Sequence, residues 1–254
     1  MAGLLIVNAD DLGLDRTNTD AILDCFHAGA VSSATALVWM KDSDRAAEAA
    51  RTAGLPVGLH LNLIEPFSAT EVPESVAATQ RRVVERLRRS TVGAQMYHPA
   101  WSADFERCIS DQLSRFRELY GRAPTHVDGH QHMHLVPNAL LARALGPVGR
   151  CRRPVNRRPT ESRAHKRAFN AALARAMRPR FVTTERCFSI RALDPGLGGS
   201  RPAVELAVAR DHSVEVMVHP GWDDERAVLL APDWRDRLAT FRLGSYADLP
   251  ARRR

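Results

Sequence analysis

Cysteine is scarce in this chain and lysine scarcer still. The four cysteines, Cys25, Cys108, Cys151 and Cys187, are widely scattered and form no C-x-x-C pair, so neither a zinc knuckle nor a disulfide framework is indicated. Only Lys41 and Lys166 are lysines among 36 basic residues, so the formal charge of +7 and the pI near 9.9 are carried by arginine. With the abundance of alanine, that skew reads as GC-rich coding bias. Aromatic residues make up 6%, and the basic stretch from Arg150 to Arg167 (RCRRPVNRRPTESRAHKR) has none interleaved on which bases could stack. It reads as a solvated basic surface, and no nucleic-acid partner is expected. No apolar run approaches the length that spans a bilayer. The start, MAGLLIVNADD, has no basic residues before a short apolar run and two acids behind it, unlike a secretory signal. A cytoplasmic location without stable membrane insertion is expected.

What is present is ordinary for a globular protein: 44% hydrophobic and 26% charged residues over 254 positions. That length suits one domain across 1–254 with a large core. Short runs rich in branched residues alternate with stretches of helical period, the pattern of repeated βα units. The expected strands are Leu4–Asn8, Ser33–Val38, Val57–Leu61, Thr125–Asp128, Cys151–Val155, Phe181–Thr184 and Val214–His219, about seven in all. Helices are expected over Arg16–Ala28, over Asp44–Ala53 behind a Ser43 cap, from Ser102 to Tyr120, from Pro137, over Ala164–Met177 and over Trp234–Leu243. In the Ser102 helix, Phe105, Ile109, Leu113, Phe116 and Tyr120 recur at spacings of three and four and are read as core. Glu65–Thr79, with Pro66 and Pro73, reads as a long loop of the kind that shapes a site.

Unusual residues gather at the ends of these strands. LLIVN runs into Asp10-Asp11, VGLHLN contains His60, THVD runs into His130-Gln131-His132, RCRRP carries Arg152 and Arg153, and VEVMV delivers His219. In parallel α/β folds the active site assembles at that edge, where the βα loops converge. Taken singly, Asp10-Asp11 could be a capping turn and His60 a core histidine. Together, two histidines and a carboxylate make a facial set that leaves coordination positions open for water and substrate. Adjacent strand residues point to opposite faces, so Asp10 and Asp11 can share a site only where the chain turns off the strand. The same alternation keeps His132 as a rival ligand to His130.

The segments LLIVNADDLGL, VSSATALV, VGLHLNL, PTHVDGHQHMHLVP and VHPG, in this order, resemble the YdjC-like family of carbohydrate deacetylases, from Leu4 to about Gly221. The resemblance implies an α/β fold, a distorted TIM-like (β/α) barrel, binding a divalent metal ion such as Mg or Zn. It implies hydrolysis of an N-acetyl group from an amino sugar, by attack of metal-bound water. Carried over position by position, Asp11, His60 and His130 are the implied metal ligands; by analogy with other metal-dependent polysaccharide deacetylases, Asp10 is the implied general base and His219 the implied general acid or oxyanion stabiliser. Arg153 and His132 are the expected substrate contacts. Leu12 stands where the family usually has phenylalanine, and Pro66 where glycine is usual; both adjoin the expected pocket. The expected partner is a small-molecule or oligosaccharide substrate, and a homodimer is compatible with the chain. Alternatives are a metal-dependent hydrolase of another amide or a phosphoester on the same barrel, and a non-catalytic anion-binding protein. The sequence fixes neither the sugar, the metal nor a role for Trp222, Asp223 and Asp224.

Overall fold

The computed structural model describes residues 3–89, 93–156, 164–199 and 204–250. Six parallel strands, β1 (Leu4–Leu12), β2 (Ser33–Ala36), β3 (Val57–Leu61), β4 (Val127–Gly129), β5 (Arg186–Ser189) and β6 (Ser213–Val218), form one sheet in the order β4-β3-β2-β1-β6-β5. Parallel neighbours need long crossovers, and helices supply them. These are α1 (Arg16–His27), α2 (Ser43–Ala53), α3 (Glu74–Arg89), α4 (Ser102–Tyr120), α5 (Pro137–Leu140), α6 (Ala164–Met177), α7 (Ile190–Leu193), α8 (Val204–Ala207), α9 (Asp223–Leu230) and α10 (Pro232–Leu238). β1 lies between β2 and β6 and is buried along all nine residues, as its unbroken apolar start requires of a central parallel strand.

The edge strands β4 and β5 are joined by irregular chain. The amide of Val127 donates to the Arg150 carbonyl, and those of Arg152, Cys151 and Asn156 donate to the carbonyls of Val127, Val182 and Cys187, at 2.8–3.1 Å. The expected strands Cys151–Val155 and Phe181–Thr184 are therefore present only as single bridges, and β5 lies farther along, at Arg186–Ser189. Pro154 has no N–H to continue a ladder. The result is a curled α/β half-barrel of six strands among the described residues, rather than about seven.

The helices follow their apolar faces. In α4, Phe105, Ile109, Leu113, Phe116 and Tyr120 are all buried, each large side chain contributing about 1.5–3 kcal/mol, and Gly121 ends the helix at φ 65°. α1 begins after Asp15, whose carboxylate accepts from the Asn18 amide at 2.8 Å. Ser43 lies inside α2, one residue past the N-cap Asp42; its hydroxyl accepts from the Met40 amide and donates to the Leu37 carbonyl. The loop expected over Glu65–Thr79 ends at Pro73, where α3 begins and buries Val76, Thr79, Gln80, Val83, Val84 and Leu87. The Gln80 side chain donates to the Glu65 carbonyl at 2.7 Å and accepts from the Phe67 amide at 3.2 Å, tying the loop down. The helix expected over Trp234–Leu243 is α10, which begins earlier, at Pro232, and ends at Leu238; α9 precedes it as a further, unexpected helix. Arg242 and Gly244 then pair with Leu5 of β1. The basic stretch from Arg150 to Arg167 lies partly outside the described residues, and no described helix is long and apolar enough to cross a membrane.

Candidate active site

Strand β1 brings two consecutive carboxylates to one place through a backbone irregularity. Its register against β2 shifts between Ala9 and Leu12, and Asp11 takes φ 70°. This left-handed bulge breaks the alternation of a regular strand. Asp11 Oδ1 lies 3.3 Å from His60 Nε2 and 2.9 Å from His130 Nδ1. The ligand atoms of these three residues lie within 4.8 Å of one another.

Behind them is a fully buried set of charges. Asp128 Oδ1 lies 2.7 Å from His60 Nδ1, and its Oδ2 accepts from the Thr35 hydroxyl at 2.9 Å. The Arg152 guanidinium, completely buried, donates to both oxygens of Asp10 at 2.6 Å, lies 2.8 Å from Asp128 Oδ2 through Nη1, and donates to Glu215 at 2.8 Å through Nε. Asn8 Nδ2 donates to Asp10 at 3.0 Å. On the far side, the Tyr246 hydroxyl donates to Glu215 at 2.5 Å, and its ring stacks on His126 at 3.8 Å.

Three carboxylates, those of Asp10, Asp128 and Glu215, thus surround one arginine, and the protonation of the neighbouring groups responds. Burial would raise Asp11, but hydrogen bonds from His130 and His60 outweigh it and hold the carboxyl well below the usual range. Burial would lower His60, but the charge of Asp128 and the bond to Asp11 raise it well above an ordinary histidine. Burial raises Glu215 despite Arg152. A site that draws a proton onto a buried imidazole beside a carboxylate has negative charge to spare. That, with two ring nitrogens and a carboxylate oxygen in mutual reach, fits a divalent cation.

His219 follows β6 and faces Asp10, with Nε2 3.9 Å from Asp10 Oδ2. Burial would lower it, but the Glu225 carboxylate, 3.5 Å from Nδ1, and the charge of Asp10 raise it. Of the residues expected in the site, Asp10, Asp11, His60, His130 and His219 therefore converge, and two do not. His130, Gln131 and His132 lie in a kinked helical turn rather than an extended segment, with Gln131 and His132 at φ 51° and 60°, so alternation does not set their directions. His132 lies outside the Asp11 cluster, its pKa lowered to about 4 by burial and by the charge of Arg152. Arg153 points away from its neighbour Arg152; its guanidinium donates to the carbonyls of Thr184 and Glu185. It lines a cavity of about 400 Å³ with Arg178 and Arg186. His126 and His134 are buried core histidines held to about 3, with burial the chief cause.

Sequence reasoning missed Asp128, Glu215 and Glu225, and placed Arg152 at its strand end without a role. For Asp128 and Arg152 the signal was present: each sits at the end of a bridged or paired segment on the inward side of the alternation. A larger cavity of about 840 Å³ lies between α2, α4 and the 69–73 loop, lined by Trp39, Lys41, Glu71, Asp111 and Arg115; the Asp11 cluster does not line it.

Residues 4–246 match the family model described as YdjC-like protein. The carbohydrate deacetylase of Mus musculus is 38% identical over 152 residues, covering 57% of this chain and 48% of that protein. A chitooligosaccharide deacetylase of Yersinia pestis (strain Pestoides F) is 36% identical over 138 residues, 54% of this chain and 53% of that protein. The chain thus spans about half the length of the curated relatives it matches. Among solved structures, an Enterococcus faecalis protein provisionally assigned to cellobiose-phosphate cleavage aligns over 97% of this chain and 98% of its own, with a TM-score of 0.66 and 19% identity. An uncharacterized Agrobacterium tumefaciens protein aligns over 96% of this chain and 86% of its own, with a TM-score of 0.51 and 15% identity. These two likenesses concern the fold.

Proposed function

The chain belongs to the YdjC-like protein family, and from that premise we propose that it is a metal-dependent hydrolase that removes an N-acetyl group from an amino sugar. Relatives with 36–38% identity that are named carbohydrate and chitooligosaccharide deacetylases support the substrate class. The observation that carries the reading is the convergence of Asp11, His60 and His130 with Asp10 and His219 beside them.

Asp11, His60 and His130 would hold the cation, with Asp128 fixing His60 so that Nε2 is the nitrogen left to coordinate. A divalent cation there supplies Lewis acidity toward the amide carbonyl and toward water. Asp10 remains ionised in the grip of Arg152, and is the base that takes the proton of the attacking water. His219, on the other side of Asp10, carries the proton that the departing sugar amine receives. The products are acetate and the free amine.

The test is acetate release from N-acetylglucosamine, short chitin oligomers and a lipid-linked N-acetylated sugar, with added Mg or Zn and with chelator. Chelator-sensitive release that is lost in His130→Ala supports the reading. Silence across the panel with cation bound refutes it.

A further inference from the structure

His219 sits on a loop, and a general acid on a loop needs something to hold its ring. We infer that Glu225 and Arg191 are positioning residues for His219, forming a clamp that reaches across from the neighbouring βα unit. The inference rests on the acid role given to His219 above.

Glu225 lies in the first turn of α9 and is completely buried. Its Oε2 accepts from the His219 backbone amide at 2.6 Å and lies 3.5 Å from His219 Nδ1. Its other oxygen, Oε1, lies 2.8 Å from Arg191 Nε. A buried carboxylate needs compensation on both oxygens, and here one faces the imidazole and the other the guanidinium. Arg191 belongs to α7, the helix after β5, and is anchored in turn by Asp224, whose two oxygens accept from Nη2 at 2.7 and 2.6 Å. Trp222 completes the assembly: its indole stacks on the His219 ring at 4.2 Å and 11°, and the Arg191 guanidinium carbon lies 4.8 Å from the indole centroid.

The backbone amide and the face of the imidazole are therefore held, and its Nδ1 edge faces the Glu225 carboxylate. With Nδ1 turned to Glu225, Nε2 is the nitrogen directed at Asp10, where a proton can pass to a leaving amine. A carboxylate behind an imidazole fixes which nitrogen works and favours its charged form. Neither Glu225 nor Arg191 reaches the Asp11 cluster, so both act through His219. Trp222, Asp224 and Glu225 thereby acquire a common purpose.

The experiment is a double-mutant cycle on acetate release. Glu225→Gln is expected to lower kcat about 10–100-fold with KM within about twofold. Arg191→Met, at a partly exposed site, is expected to lower kcat in the same way but less. In a His219→Ala background both substitutions should change kcat by less than about twofold, because the group they position is gone. Equal losses in both backgrounds, or losses carried by KM, would overturn the clamp. A second readout does not depend on turnover: nitrogen chemical shifts of the His219 ring in the whole protein, with and without each substitution. A changed Nδ1 resonance in Arg191→Met supports the clamp even if no acetylated sugar is hydrolysed, in which case the proposed function alone fails. An unchanged resonance in both variants refutes the clamp.

Discussion

Asp128 and Asp11 hold His60 from opposite sides of its ring, Asp128 at 2.7 Å from Nδ1 and Asp11 at 3.3 Å from Nε2. One imidazole thus links the outer cluster, which is read as the cation site, to the buried carboxylates around Arg152.

Removing the inner half of that link should be felt at the outer half. Asp128→Asn keeps the shape but not the charge, and is expected to weaken cation binding about 10–100-fold. Competition of the protein with a chelating dye for Zn measures it; an unchanged affinity would separate Asp128 from the cation site.

Asp10→Asn leaves the amide able to sit in the same place but removes the proposed base. The expected loss is about 10²–10⁴-fold in kcat, with cation affinity close to that of the parent. Full activity in this variant would move the base elsewhere.

Arg152→Met strands Asp10, Asp128 and Glu215 in the interior without their cation. Breaking a buried ion set in this way costs about 3–5 kcal/mol, a fall in Tm on the order of 10 °C for a chain of this size. Arg152→Lys restores charge but not the fork that serves Asp10 through two nitrogens, so it should regain stability more than activity. Thermal unfolding and acetate release, run side by side, separate the two.

The buried neutral histidines give a pH signature. His126 and His134 titrate near 3 in the fold against about 6.5 in an unfolded chain. The unfolded state therefore binds protons first, and stability present above pH 6.5 is lost as pH falls toward 3. Each histidine contributes a slope of about 1.4 kcal/mol per pH unit within that window. His126→Phe, which keeps an aromatic face for Tyr246, should flatten denaturation midpoints measured between pH 6 and 4. An unaltered slope would mean that His126 is not the group that charges.

Much of this arrangement is legible in the sequence because strand ends announce themselves. Asp10-Asp11, His60, His130 and His219 each follow a run of branched residues, and a parallel sheet collects such ends on one edge. What escapes is whatever depends on a departure from regular backbone. The bulge at Asp11 lets adjacent residues serve one site, and the turn at Gln131 and His132 removes the alternation on which the rivalry of His132 with His130 rested. Arg152 and Arg153 show the reverse error: strict alternation holds there, and it turns Arg152 inward and Arg153 out. α3 was hidden because Pro66 and Pro73 drew attention from the helical spacing of Val76, Val83 and Leu87 behind them. Glu225 gave no signal, since a glutamate in a helix's first turn is ordinarily a surface residue.

The irregular chain that spans the gap between β4 and β5 carries Arg152, so the seam of the wall and the alignment of the acids are one mechanical unit. Widening the seam would unseat Asp10, Asp128 and Glu215 together. The chain between β3 and α3 is tied down by Asn62, Gln80 and Gln131, groups other than the acids around Arg152. Under the proposed function, exchanges of sequence intended to alter which sugar is accepted therefore have room on that flank, while the Arg150–Asn156 crossing must be inherited as a piece.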